Sequence, residues 1–156
     1  MPIDASIYSK RKDSPNYGAA FGRGLQSGMS MGKIYGLGLG PGDPDLMTVR
    51  AHRLLTNAKH VAFFCKKGRT GQARKMVDAL LPAGVVEFPM EYPVTTEIPV
   101  SDPRYNVVLS AFYAEVSAHL RSLAASGEDV VVLCEGDPFF YGSFMYLFAR
   151  LSGDIE

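Results

Sequence analysis

From Lys33 onward the apolar positions switch between two periods. Short, nearly continuous runs at 33–39 (KIYGLGL), 61–65 (VAFFC), 85–90 (VVEFPM) and 129–134 (DVVVLC) have the length and the β-branched or aromatic bias of strands. Between them apolar residues recur at helical spacing. Thr48 is placed to cap a helix whose stripe is Ala51, Leu54, Leu55 and Ala58. Gln72 to Leu81 predicts a second helix, with Ala73, Met76, Val77, Leu80 and Leu81 on one face. A long helix over 104–126 follows, striped by Leu109, Phe112, Val116, Leu120 and Leu123 and stopped by Gly127. Phe144, Leu147, Phe148 and Leu151 mark a fourth. Strands alternating with helices predict an α/β domain with a mainly parallel sheet flanked by helices. The unbroken apolar run DVVVLC predicts a strand covered on both faces.

The first 30 residues are different. They are rich in Ser, Gly, Pro and charge, carry no apolar period, and read as an N-terminal extension or leader ahead of a domain over 31–156. No signal-peptide core or membrane-length apolar run is visible. Sixteen basic residues balance sixteen acidic ones, so no global field draws the chain to nucleic acid or to a membrane. Cys65 and Cys134 each close an apolar run, which predicts two buried free thiols, and no histidine stands at zinc-ligand spacing from them. The chain therefore reads as a soluble cytoplasmic domain without a metal site.

Two loops carry the candidate chemistry: GLGPGDPD at the end of the first strand, and CEGDPFFYGSF at the end of the fourth. The first resembles a dinucleotide loop but fails it. Counted from Gly36 the third glycine position is Pro41, and counted from Gly38 it is Asp43. No Gly-Lys-Ser or Gly-Lys-Thr is present either. Both loops contain Gly-Asp-Pro, in which Gly permits close backbone approach, Asp accepts hydrogen bonds and Pro stiffens the turn. Loops that follow parallel strands face the same side of a sheet, where ligands collect. Without any basic residue, the pair suits a cation or a neutral hydroxylated ligand better than a phosphate.

GLGLGPGDPDLMTVRAHRLL together with LCEGDPFFYGSFMYL strongly resembles the tetrapyrrole methylases, S-adenosylmethionine-dependent enzymes of corrin and sirohaem synthesis. Within that family EGDPFFYGSFMYL and FPMEYPVTT look most like the members that methylate carbon 20 of precorrin-2. The resemblance implies the N-terminal domain of a two-domain fold, a homodimer, a tetrapyrrole substrate and S-adenosyl-L-methionine as cofactor. The cobalt-factor II version of the reaction and a non-catalytic half-site remain alternatives.

The same resemblance implies a cofactor set of Gly40, Pro41, Gly42 and Asp43 from the first loop and Glu135, Gly136, Asp137, Pro138 and Phe140 from the second. Gly136 is expected to approach the cofactor too closely for a Cβ. Carboxylates such as Asp137 or Glu135 suit the neighbourhood of a sulfonium. Some relatives carry an acidic residue near the end of the second strand, but here that stretch is VAFFCKKG and the proton acceptor is unidentified. A substrate with many carboxylates needs cations, and Lys66, Lys67, Arg69 and Arg104, read as loop residues, are the candidates. Tyr141 and Phe139 either wall the cleft or fill the core. His52, His60 and His119 read as surface or packing residues.

Overall fold

The computed structural model describes residues 30–94 and 97–152. The extension over 1–29, the two threonines that end FPMEYPVTT and residues 153–156 lie outside the described residues. Four strands, β1 (Ile34–Gly38), β2 (His60–Lys66), β3 (Val86–Tyr92) and β4 (Val130–Cys134), form one sheet in the order β1-β4-β2-β3. All three pairings are parallel. Four helices accompany them: α1 (Val49–Thr56), α2 (Gln72–Met76), α3 (Pro103–Ala125) and α4 (Phe144–Leu151).

Alternation along the strands divides the core into two layers. Val61, Phe63 and Cys65 of β2 and Val131 and Leu133 of β4 pack with Ala51 and Leu55 of α1 and Ala73 of α2. Ala62, Val130, Val132 and Cys134 face the other way, against Phe112, Val116 and Leu120 of α3 and Phe144 and Leu147 of α4. Every residue of β4 is buried, as its unbroken apolar run requires of a central strand covered on both sides. Pro89 sits in β3, an edge strand, where a missing amide costs no ladder bond.

Caps set the helix starts. Thr48 Oγ1 accepts from the Ala51 amide at 3.1 Å, and the Asp102 carboxylate accepts from the Arg104 amide at 2.9 Å. Gly127, at φ 87°, ends α3 as expected.

Two expectations need correction. The second helix is regular only over Gln72–Met76, and residues 77–80 continue as turns. Pro82 disfavours helical geometry at Leu81 and its ring would meet the Asp78 carbonyl, so a regular helix does not reach Leu81. The apolar face survives regardless, with Ala73 and Val77 buried. Phe148 of α4, expected in the core, is 45% exposed and stacks edge-on against Phe139 instead.

Cys65 and Cys134 are buried free thiols. Burial raises both, and pushes Cys134 from 9.0 up to about 12. A raised folded-state value means that the neutral thiol contributes stability in full below the unfolded value, and that this is lost as pH rises through the folded one. Both thiols should therefore resist alkylation by a maleimide at pH 8 in the native protein and react at once in denaturant. The protein should also lose stability progressively between about pH 9 and pH 12. Rapid native labelling of Cys134 at pH 8 would overturn the assignment.

Candidate functional site

Beyond β1 and β4 the backbone pairing continues into the two loops. The Leu39 amide donates to the Cys134 carbonyl at 3.0 Å, and the Gly136 amide donates to the Gly40 carbonyl at 3.2 Å. Gly40 and Gly136 thus form an antiparallel bridge outside the sheet. The loops do meet at one end of the sheet, as their positions after parallel strands required. Gly38 makes this approach possible: a Cβ there would lie 2.6 Å from the Gly136 carbonyl oxygen. Sequence reading passed over Gly38, because it was taken with the other glycines of a loop fingerprint it does not fit.

Each loop is built on the same local device. Asp43 Oδ1 accepts from the Asp45 amide at 3.0 Å, and Asp137 Oδ1 accepts from the Phe139 amide at 2.8 Å. Both carboxylates turn back on their own backbone two residues later, a turn that the following proline stiffens. Asp43 in addition caps a 3-10 turn over Pro44–Leu46. Pro41, Gly42, Asp43, Glu135, Asp137 and Phe140 are exposed, while Gly40, Gly136 and Pro138 are half-buried. No Lys, Arg or His occurs in residues 36–48 or 134–144, and Asp43, Asp45, Glu135 and Asp137 make the mouth acidic.

Gly136 has open space beside it within this chain. A Cβ there meets nothing within 4 Å, so nothing in this chain crowds it, and its constraint is a φ of 65°. Tyr141 is a non-glycine residue at φ 53° and 94% exposed, an aromatic side chain held outward on an unfavourable backbone. Phe139 and Phe140 beside it are 54% and 71% exposed, so the loop tip is an aromatic wall rather than core.

The candidate cations are dispersed. Lys66 is the last residue of β2 rather than a loop residue, and Lys67 and Arg69 occupy the turn after it, all exposed at the same sheet end as the two loops. Arg104 lies in the first turn of α3, not in a loop, and its guanidinium is paired with Asp102 at 2.7 Å. A carboxylate does stand at the corner where the second strand lacks one. Glu91 of β3 is in register with Cys65, and its Oε1 accepts from the Gly68 amide at 3.0 Å. No local signal in the sequence placed it there, because a strand pairing brings it in. Of the histidines, His119 stacks on Phe88 with ring centroids 4.1 Å apart, and His60 lies 3.7 Å from Glu128, in keeping with packing and surface roles.

A hydroxyl cluster behind the second loop was not legible in the sequence. Ser143, at the N-cap of α4, makes no capping bond with its side chain. Its hydroxyl is bonded instead to that of Tyr92, at the end of β3. Tyr113 of α3 shares this cluster, and burial pushes the Tyr92 phenol well above the usual tyrosine range and raises that of Tyr113. They therefore stay protonated and bonded near neutral pH. The loop is fixed at both ends, by Gly136 to Gly40 and by Ser143 to Tyr92.

Residues 33–156 match the family model described as Tetrapyrrole (Corrin/Porphyrin) Methylases. The chain belongs to that family. It is 45% identical over 126 residues to a precorrin-2 C(20)-methyltransferase of Sinorhizobium sp., covering 81% of this chain and 51% of that protein. A cobalamin biosynthesis protein CobIJ of Mycobacterium bovis is 39% identical over 121 residues, covering 78% of this chain and 24% of that one. Among solved structures, a cobalt precorrin-4 methyltransferase, CbiF, superposes with a TM-score of 0.54 at 26% identity, covering 84% of this chain and 45% of that chain. The chain spans about half the length of the first of these relatives. The resemblance first seen in the two loops thus extends over the whole described α/β unit.

Two substitutions test the construction. Gly38→Ala should push the loops apart and cost about 1–3 kcal/mol by overpacking against backbone that has no rotamer to relieve it; chemical denaturation measures this, and a neutral substitution would contradict the close approach. Tyr92→Phe should cost about 1 kcal/mol through the hydroxyl left unpaired on Ser143, with a matching loss in Ser143→Ala and no additivity in the double variant.

Proposed function

We propose that the protein transfers a methyl group from S-adenosylmethionine to carbon 20 of precorrin-2 in cobalamin biosynthesis, with residues 31–156 forming the N-terminal α/β domain of a cytoplasmic homodimer. The observation that carries the reading is the acidic, glycine-bridged mouth. Two backbone-paired loops without a single cation stand at the carboxyl ends of β1 and β4. The 45% identity to a precorrin-2 C(20)-methyltransferase supports precorrin-2 as the substrate.

The residues fit the cofactor. S-adenosylmethionine supplies a methyl group already activated by a positive sulfur. Loops holding Asp43, Asp45, Glu135 and Asp137 favour that charge, whereas a lysine about 4 Å away would oppose it by about 1 kcal/mol in water and more where water is excluded. Gly136 leaves backbone and open space where a side chain would otherwise stand. Pro41 and Phe140 add exposed apolar surface on either side. In this reading Gly40, Pro41, Gly42, Asp43, Glu135, Gly136, Asp137, Pro138 and Phe140 form the cofactor wall.

Such a transfer would join the methyl carbon to carbon 20 as the carbon–sulfur bond breaks with its electron pair going to sulfur, and the proton lost from the ring carbon would pass in the end to solvent. An electron-rich ring carbon needs no activated protein nucleophile. The work of the chain is to hold both molecules in line and keep water out, an effect that reaches about 7–11 kcal/mol for well-oriented reactants. Rigid fixation of the second loop at Gly136 and at Ser143 serves that purpose. Lys66, Lys67, Arg69 and Tyr141 stand at the same end of the sheet, within the rim that a carboxylate-rich macrocycle would meet, and Arg104 would join them only by leaving Asp102.

Calorimetric titration of the intact protein should show binding of S-adenosylmethionine and of its demethylated product, and none of NAD. Valine at Gly136 would strain a backbone at φ 65°, so asparagine, which tolerates that region, is the cleaner probe. Gly136→Asn should leave the unfolding midpoint nearly unchanged and weaken cofactor binding at least tenfold. NAD binding, or normal cofactor affinity in Gly136→Asn, would refute the placement.

A further inference from the structure

A groove with a volume of about 580 Å3 lies between the end of β3, the first half of α3 and α4, lined among others by Tyr92, Tyr105, Asn106, Ser143 and Arg150. We propose that it is a carboxylate-binding subsite with the Arg150 guanidinium as its anchor. The proposal rests on the tetrapyrrole reading and assigns the groove to one carboxylate arm of the macrocycle.

Arg150 is held as an anion receptor would be. Its Nη1 donates to the Tyr146 carbonyl at 3.1 Å and its Nη2 to the Ser110 hydroxyl at 3.2 Å. The guanidinium carbon stands 5.5 Å from the centroid of the Tyr113 ring, and Arg121 grips the Arg150 carbonyl at 2.7 Å. These contacts freeze a side chain that would otherwise lose rotamer entropy on gripping a ligand. They use two of its five N–H donors. Among the described residues Arg74 and Arg104 spend their guanidinium hydrogen bonds on carboxylates, Arg74 on Asp78 and Glu87 and Arg104 on Asp102, while Arg121 bonds the Arg150 carbonyl. Arg150 has no carboxylate within 4.0 Å among the described residues. Among the described residues a permanently charged, half-buried, preorganised fork is left with donors to spare.

Position adds a second argument. Ser143 both lines the groove and ends the loop that carries Gly136, so the groove opens directly behind the proposed cofactor wall. Asn106 and the Tyr105 hydroxyl on α3 supply further polar groups at its rim. The apolar faces of Tyr92 and Tyr146 suit the methylene part of an acetate or propionate arm. The acidic mouth repels such an arm and the groove attracts it, which fixes which end of the macrocycle points where.

The test uses the intact protein with Arg150→Gln and Arg150→Lys. With precorrin-2, Arg150→Gln should raise KM for the macrocycle about 10- to 100-fold, the range for a hydrogen-bonded pair between charged groups, with kcat within about threefold and KM for S-adenosylmethionine unchanged. Lysine should restore part of the loss. Uroporphyrin, an octacarboxylate probe followed by quenching of tyrosine fluorescence, should bind the wild type and lose affinity in Arg150→Gln by a similar factor. Should methyl transfer fail in the wild type while this uroporphyrin difference persists, the functional reading falls and the carboxylate subsite stands. Unchanged macrocycle KM and uroporphyrin affinity in a natively folded Arg150→Gln would overturn the subsite. So would a change in association state as the variant's sole effect, since the carboxylate would then come from another protein surface.

Discussion

The β1–β4 ladder does not stop where the sheet stops. Leu39 donates to Cys134 and Gly136 donates to Gly40, carrying the pairing of two core strands into the two Gly-Asp-Pro loops. Everything at the candidate site depends on that extension. It requires Gly38, because any Cβ there would strike the Gly136 carbonyl. It also requires β4, whose burial on both faces fixes the strand from which the second loop departs. Site geometry is thereby set by the most stable part of the fold, which is how a loop can be both exposed and precise.

What the sequence revealed and what it hid divide along sequence distance. Strands, the cap at Thr48, the α3 stripe and the double-sided burial of β4 are written in residues within a turn or two of one another. The meeting of the two Gly-Asp-Pro loops was also legible, since parallel strands oblige their following loops to share an end. The length of α2 was misread because apolar spacing continues through Val77 and Leu80 after helical hydrogen bonding has ceased. Phe148 was misread because spacing gives the stripe of a helix but not the width of the surface that covers it. Tyr92 with Ser143, and Glu91 beside Cys65, are 51 residues apart and one strand over respectively, and no local pattern announces either.

Glycine was the most ambiguous signal. In one stretch, Gly38 serves contact between backbones, and Gly40 serves a turn at φ 79°. Gly36 leaves room for the Phe144 ring, which a Cβ would approach to 2.4 Å. A motif written in glycines invites comparison with phosphate loops, yet the reasons for the glycines here lie in packing between strand ends and helix α4. The same composition arises from different physical demands, so the neighbours of a glycine decide its meaning.

Charge placement is the complementary lesson. The chain as a whole carries 16 basic and 16 acidic residues, so its total charge says nothing about its ligand. The distribution does. Acidic residues gather at the loop mouth, Lys66, Lys67 and Arg69 stand beyond β2, and Arg150 waits in the groove on the α3 and α4 side. The proposed pair of a sulfonium and a polycarboxylate would require opposite fields side by side. Ions separated by more than about 8–10 Å are largely screened by physiological salt, so acidic and basic zones can work side by side provided each is short-ranged. With no Lys, Arg or His in either loop, the proposed mouth would favour a sulfonium while leaving Lys66, Lys67, Arg69 and Arg150 for carboxylates.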